Sequence, residues 1–420
     1  MPNGGTATFT LARISLHRRG IREPGPRLGG SDANDARSTT YPKMTHFSGS
    51  SEPFVGVTWP AIPLSRRDAL VVAHGRRSEP QRRVLDPLRT LPKMSGGMAY
   101  AHLGRSGLLV SRIALGTMDF GYLLDESSSF EVMDAAVDAG INHFDTADVY
   151  GGPQTADMTK GYGVSEEVIG RWLQRSGRRD EIVLATKAYQ PMGLGPNDRR
   201  LSAYHLRRAC EASLRRLQTD HIDLYQMHHV DRATPWEEIW QATEQLVREG
   251  KVTYLGSSNF AAWDVALAQS AANARHFLGL TSEQCLYNVA KRAVEMELVP
   301  ALRSLGVGLI AYSPLHAGLL AGALQAVETA GASVDLLQPV RGQLEAYEAL
   351  CREIGAKPAH VALAWLLHQP VVSTALVGAR SVDQLQANLG GLALNLEPAV
   401  LERLDHIWPG PGEAPQAYAW

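Results

Sequence analysis

Ile141-Asn142-His143-Phe144-Asp145-Thr146-Ala147-Asp148-Val149-Tyr150 runs from a short apolar stretch into a carboxylate and, five residues on, reaches a phenol. An apolar run of this length that ends on a charge reads as a strand buried on both faces with its polar tip at one end of a sheet. The same arrangement recurs downstream, in Val183-Leu184-Ala185-Thr186-Lys187 and in Asp223-Leu224-Tyr225-Gln226-Met227-His228. Three successive strands therefore deliver polar side chains to one edge.

Working outward, eight apolar runs alternate with amphipathic stretches: Ile113 to Leu115, Ile141 to Phe144, Ile182 to Ala185, Ile222 to Tyr225, Val252 to Leu255, Cys285 to Leu286, Val307 to Ala311 and Ser373 to Val377. His102 to Val110 precedes them and reads as a hairpin with its turn at Arg105-Ser106-Gly107. Ser128 with Glu131, and Thr234-Pro235-Trp236-Glu237, have the spacing of capping boxes at helix starts. Pro235 would take the first helical position. Gly140, Gly177 and Gly250 stand where helices should stop. Leu206, Ala209, Ser213, Leu214 and Leu217 trace a helical face. Strand–helix alternation means parallel βαβ units. Eight of them from Met98 onward predict an α/β fold, a (β/α)8 TIM barrel with an N-terminal β-hairpin. A doubly wound sheet would want a Gly-rich turn leaving its first strand. The nearest match, Gly306-Val307-Gly308-Leu309-Ile310-Ala311, enters a strand instead.

Residues 1–97 read differently. They hold 15 basic and 7 acidic residues, with Arg doublets at 18–19, 66–67, 76–77 and 82–83, and no sustained periodicity. Three readings compete: a basic arm for an acidic partner, a targeting segment, or a disordered extension translated ahead of a start at Met98. Composition favours the last, so two segments are expected: 1–97 as a disordered extension and 98–420 as the barrel. The whole chain carries a formal net charge of −2, which gives no reason to expect a nucleic-acid or membrane partner. Cys210, Cys285 and Cys351 are too scattered for a disulfide framework or a thiolate metal site. With no apolar run of membrane-spanning length and no signal-peptide core, the reading is a cytoplasmic protein.

Asp145, Tyr150, Lys187 and His228 each have an ordinary explanation alone: a cap, a rim aromatic, a surface charge, a core histidine. Together, at the ends of strands buried on both faces, they are costly unless paired with one another. Paired, they suit proton-coupled carbonyl chemistry. A phenol with a pKa of about 10 becomes a usable proton donor beside a cation, and Lys187 is the candidate for that cation.

Phe144 to Gly151, Gly163-Val164-Ser165-Glu166-Glu167, Asp223 to His228, Gly250-Lys251-Val252, Gly256-Ser257-Ser258-Asn259-Phe260 and Tyr312-Ser313-Pro314-Leu315 follow one another in order. On these blocks the chain from Met98 to its end resembles the aldo-keto reductases. The resemblance implies reduction of an aldehyde or ketone to an alcohol with NADPH, NADH being the alternative. It implies a catalytic tetrad of Asp145, Tyr150, Lys187 and His228, in which Lys187, held by Asp145, lowers the Tyr150 pKa and His228 orients the carbonyl. It places the cofactor against Thr117, Met118 and Asp145, with Ser258, Asn259 and Gln284 at the carboxamide and Tyr312 stacked on the nicotinamide. Ser313, Pro314 and Leu315 would line the pyrophosphate. Gly378, Arg380, Gln384 and Asn388 would meet the adenosine end, Arg380 being suited to a 2′-phosphate. Many relatives carry Lys where Gly378 or Ala323 stands. Ser381 with Gln384 also has capping-box spacing, a second reading for Gln384.

Two decoys drop out. Tyr287-Asn288-Val289-Ala290-Lys291 has the Tyr-x-x-x-Lys spacing of short-chain dehydrogenases without their Gly-rich turn, and His228-His229-Val230-Asp231 lacks a third ligand, so no metal is expected. Met118, Tyr122, Tyr189 and His229 are the candidates for the pocket of a small carbonyl substrate. Arg199-Arg200, in the loop from Ala188 to Leu201, could meet an anionic group. The overall pattern looks most like bacterial reductases related to those acting on nucleotide-linked keto-deoxysugars, the sharper substrate alternative. The chain also resembles potassium-channel β-subunits in Ser313-Pro314-Leu315, which opens a second class, an NADPH-binding sensor. Oligomeric state is not legible.

Removal of residues 1–97 is expected to leave the circular-dichroism spectrum, melting temperature and carbonyl-reducing activity essentially unchanged. Loss of either fold or activity would show that the extension belongs to the folded unit.

Overall fold

Strands β3 (Ile113–Gly116), β4 (His143–Asp145), β5 (Val183–Ala188), β6 (Ile222–Met227), β7 (Val252–Ser258), β8 (Leu280–Leu286), β9 (Gly308–Tyr312) and β10 (Val372–Gly378) pair in parallel, and β10 returns to β3 to close a barrel. The computed structural model describes residues 97–155, 158–325 and 337–419. The extension at 1–96, with its Arg doublets, lies outside the described residues. A short antiparallel hairpin, β1 (Tyr100–His102) and β2 (Leu109–Ser111), precedes the barrel.

All eight expected strands form. Strand β8 exceeds its expected length most, because Thr281, Ser282, Glu283 and Gln284 look like a loop yet are buried in a strand. All but the Ser282 hydroxyl find partners within the barrel wall: the Thr281 hydroxyl donates to the Leu255 carbonyl at 2.9 Å, Glu283 accepts from Ser257 and from the Phe260 amide, and Gln284 donates to Asp145. Hydropathy cannot anticipate such partners.

The described α-helices are α1 (Glu126–Asp138), α2 (Val164–Ser176), α3 (Ala203–Leu217), α4 (Trp236–Arg248), α5 (Ala262–Ala274), α6 (Leu298–Leu305), α7 (Arg341–Glu353), α8 (Pro358–His368), α9 (Val382–Leu389), α10 (Pro398–Ile407) and a last turn, α11 (Gln416–Ala419). The expected face of α3 is buried throughout. Gly177 ends α2 in the left-handed conformation, and Gly140 and Gly250 adopt positive φ just past α1 and α4. Two helix starts differ from expectation. Asp125, not Ser128, caps α1, its carboxylate accepting from the Ser128 amide at 2.8 Å. Pro235 precedes α4 as its cap residue, while the Thr234 hydroxyl turns back to donate to Asp231 at 2.8 Å. At the first start a carboxylate three residues upstream moves the cap, and at the second a carboxylate engages the hydroxyl that was expected to serve as one. No helix among the described residues is long and apolar enough to cross a membrane.

Two cores result. Outside the wall, the apolar faces of strands and helices pack together, with Phe144 against Trp172 at 5.5 Å between ring centroids. Inside it, Leu103 and Val110 of the hairpin meet Ala114, Val183, Ala185, Leu224, Ile310 and Leu376. The hairpin thus plugs the amino-terminal end of the barrel. Its tight turn falls at Leu103-Gly104-Arg105-Ser106, earlier than the expected Arg105-Ser106-Gly107, with the Ser106 amide donating to the Leu103 carbonyl at 3.2 Å. The Arg105 amide donates to the Gly306 carbonyl at 2.7 Å, and the Ser373 hydroxyl to that of His102 at 3.0 Å. Gly104 has φ +57°, and a Cβ there would lie 2.4 Å from the Thr281 carbonyl oxygen and 2.6 Å from the Gly308 nitrogen, both backbone.

Gly104→Ala should therefore destabilise the fold by about 2 kcal/mol or more, since backbone strain and overpacking add. Chemical denaturation of the two proteins measures this; a difference within about 0.5 kcal/mol would mean the plug contributes little.

Candidate active site

The polar tips expected at one edge do meet there. Asp145 is the last residue of β4, Lys187 the penultimate residue of β5, and His228 the first residue after β6. Pairing of Asp145 with Ala185 and of Lys187 with Gln226 keeps these tips nearly level around the mouth. Lys187 has no solvent exposure. Its ammonium donates to Asp145 Oδ1, to the Thr146 carbonyl at 2.8 Å and to the Tyr150 hydroxyl at 3.4 Å. The second carboxylate oxygen of Asp145 accepts from Gln226 Nε2 and from Gln284 Nε2, both at 2.8 Å. The buried pair is thus fully hydrogen-bonded, which is what makes a buried ion pair tolerable. Gln226 was not anticipated. Strand alternation, which puts residues 224, 226 and 228 on one side of β6, could have found it.

Burial alone would lower the Lys187 pKa, but the charge of Asp145, the Tyr150 oxygen and the hydrogen bonds to both reverse this and leave it above the ordinary value. The ammonium therefore keeps its proton. Its nitrogen lies 4.8 Å from the centre of the Tyr150 ring. The Tyr150 pKa is nevertheless raised, because withdrawal from water outweighs the downward pull of Lys187. This corrects the net direction expected from sequence. The cation acts in the anticipated sense, and the enclosure it sits in acts more strongly.

The Tyr150 hydroxyl lies 3.5 Å from His228 Nε2, with the two rings edge to face at 5.6 Å. At that length the hydrogen bond is weak. Burial, then Lys187 and His229, push the His228 pKa well below its usual value, so the imidazole is neutral at pH 7. His229 stacks on His228 at 5.3 Å, and Tyr189 meets His229 edge-on at the same distance.

A cleft of about 660 Å³ opens above these groups. Of the expected residues, Thr117, Met118, Asp145, Tyr150, His228, His229, Ser258, Asn259, Gln284, Tyr312, Ser313, Pro314, Leu315 and Gly378 line it. Asn259 adopts φ +61°, and its side chain links the Tyr312 hydroxyl, at 2.9 Å, to the His228 carbonyl, at 3.2 Å. Ser313 has φ +53°, and its carbonyl accepts from Asn288 at 2.9 Å. Lys187 lies behind Tyr150 and does not line the cleft. Tyr122 is 48% exposed and is not among the lining residues, a correction to the substrate set. Tyr189 reaches it only through His229, and Arg199 and Arg200 do not reach it. Arg380, Gln384 and Asn388 stand beyond its lining. Gln384 accepts from the Arg380 amide at 2.9 Å, while Ser381 caps α9 by accepting from the Gln384 amide at 3.2 Å. Asp119, Gln154, Thr155, Met158 and Gln190 line the cleft without having been anticipated, since loop residues carry no periodic signal. Of the decoys, Tyr287 is buried against Trp365 and donates to Glu295 at 2.7 Å.

A closed parallel barrel with its polar side chains gathered at the carboxyl mouth defines the (β/α)8 class, whose enzymes carry catalysis on that face. The model of the aldo/keto reductase family matches residues 112–409, and the chain belongs to that family. It is 50% identical over 332 residues to an uncharacterized oxidoreductase, YrpG, of Bacillus subtilis, covering 77% of this chain and all of the relative. It is 32% identical over 339 residues to a probable voltage-gated potassium channel subunit beta of Arabidopsis thaliana, covering 76% of this chain and all of that protein. Versiconal hemiacetal acetate reductase of Aspergillus parasiticus is 31% identical over 342 residues, covering 73% of this chain and 96% of the relative. The protein is accordingly an oxidoreductase of a family that reduces carbonyl compounds with nicotinamide cofactors.

His143, two residues before Asp145, is buried with neither ring nitrogen hydrogen-bonded, and burial lowers its pKa from 6.5 to about 4. Between those values the unfolded chain binds a proton that the folded chain does not, so stability falls as pH drops from 6.5 towards 4. In His143→Leu the slope of unfolding free energy against pH between 6 and 5 should shrink by up to about 1.4 kcal/mol per pH unit. An unchanged slope would mean that His143 does not report this burial.

Proposed function

We propose that this protein reduces a small, uncharged aldehyde or ketone to the alcohol using NADPH, with Tyr150 as proton donor. The observation that carries the reading is the fully buried Lys187–Asp145 pair set behind a phenol that faces His228 across the cleft mouth. The raised Tyr150 pKa keeps the phenol protonated at neutral pH, the state a donor needs. As a carbonyl is reduced its oxygen gains negative charge, and the Tyr150 hydroxyl releases its proton to that oxygen. The ammonium of Lys187 stabilises the phenolate left behind, and Asp145, fixed by Gln226 and Gln284, holds that ammonium in place. His228, neutral and with Nε2 towards the cleft, donates a hydrogen bond to the same oxygen and so orients it.

The donor set fits a nicotinamide dinucleotide. Ser258, Asn259 and Gln284 present a hydroxyl and two amides on one wall, matched to a carboxamide, and the Tyr312 ring adjoins them for stacking. When bound, that cofactor supplies the hydride. Ser313 to Leu315 would hold its pyrophosphate. Gly378, Arg380, Gln384 and Asn388 would hold its adenosine end, with Arg380 the cation for a 2′-phosphate. Among the described residues, the rest of the pocket, including Met118, Met158, Gln154 and His229, has no Lys or Arg in its lining. That supports a neutral carbonyl compound over a nucleotide-linked keto-deoxysugar, whose diphosphate would want a cation there. We assign the reaction to residues 98–420.

Tyr150→Phe should lower kcat about 1,000-fold, within the range for loss of a general acid, while changing the NADPH dissociation constant less than about threefold. Stopped-flow absorbance and fluorescence titration measure the two, and retained turnover would overturn the assignment. A wild-type protein that binds NADPH yet consumes none with a broad carbonyl panel would instead support a sensor, as in the channel-subunit reading.

A further inference from the structure

Resting on the reading of the cleft as a dinucleotide site with its adenosine end at Arg380, we propose that Asp119 weakens the preference for a 2′-phosphorylated cofactor by engaging Arg380 as its counter-ion. Arg380 Nε donates to Asp119 Oδ2 at 2.7 Å. The two residues leave neighbouring strands of the barrel, three residues past Gly116 of β3 and two past Gly378 of β10, and those strand ends are paired. The contact is therefore set by the barrel itself.

Both backbones are held. The Asp119 carbonyl accepts amides from Tyr122 at 3.1 Å, Leu123 at 2.9 Å and Leu124 at 3.0 Å, closing a tight turn. The Arg380 amide is fixed by Gln384. A ligand at Arg380 can move the two side chains but not the loops that carry them. Asp119 is also part of the cleft lining, which contains no Lys or Arg among the described residues.

A phosphate arriving at Arg380 either displaces the Asp119 carboxylate or shares the guanidinium with it. Displacement gives up a charge-assisted hydrogen bond, and sharing brings two anions together. Both costs scale with the charge on the ligand at that point. A 2′-hydroxyl incurs neither, and can donate to Asp119. The pair is partly exposed, at 39% and 24% of its side chains, so the effect is modest and screened by salt.

The test is the dissociation constants of NADPH and NADH for the whole protein, from quenching of tryptophan fluorescence at low ionic strength, before and after Asp119→Asn. The expected result is about fivefold tighter NADPH binding, a change for NADH within about twofold, and loss of most of the difference in 0.5 M NaCl. Asp119→Ser, which also leaves the backbone turn intact, should act in the same direction. 2′,5′-ADP against 5′-AMP as competing probes should repeat the pattern without the nicotinamide half. Equal shifts for both cofactors, or none, would overturn the role of Asp119. Wild-type protein that binds neither cofactor would overturn the reading of the cleft itself.

Discussion

An ammonium with no access to water needs oxygen on every side, and Lys187 obtains it from Asp145, the Thr146 carbonyl and the Tyr150 hydroxyl. Much else follows from that requirement. Asp145 is held by amides from two further strands, so four of the eight strands meet on one carboxylate and its counter-ion. Breaking such a buried pair by removing one partner is costly, which ties the precision of the mouth to the integrity of the barrel. The phenol is drawn in as a third ligand of the ammonium. It is thereby presented to the cleft in a fixed place, with a neutral imidazole opposite.

The two ends of the barrel are treated in opposite ways. At the amino-terminal end the hairpin seals the interior, and Gly104 sits so close to the Thr281 and Gly308 backbone that no side chain fits. At the carboxyl end polar side chains at or next to several strand tips border an open cleft instead of a plug. Rigidity at one end and access at the other suit a site whose reacting groups must not move while ligands come and go. The left-handed Asn259 and Ser313, on the loops after β7 and β9, show local backbone cost accepted on the open side, where side chains must be aimed.

Much of this was legible from residue order. Eight apolar runs, the hairpin and the face of α3 reappear as expected, because hydrophobic periodicity reports burial directly. Asp145, Lys187 and His228 were readable as a group because charge at the tip of a doubly buried strand demands a partner. The buried polar strand β8 was under-read, since its Thr281, Glu283 and Gln284 pair across strands that lie close only once the barrel has closed. Asp125 displaced Ser128 as a cap for a related reason, a competition between neighbouring acceptors that spacing rules do not rank. Tyr122, expected in the pocket, lies instead on the turn held by the Asp119 carbonyl and is exposed.

The sequence by itself determined the fold class, the strand count and the cluster of acid, phenol, lysine and histidine, because these depend on periodicity and on the cost of burying charge, which every chain must obey locally. Tertiary structure alone decided the balance at Tyr150, where enclosure outweighs the nearby cation. It also brought Gln226 and Gln284 to one carboxylate and paired Asp119 with Arg380, 261 residues apart. Those outcomes depend on distances between strands that meet only when the barrel closes, and no linear spacing encodes them.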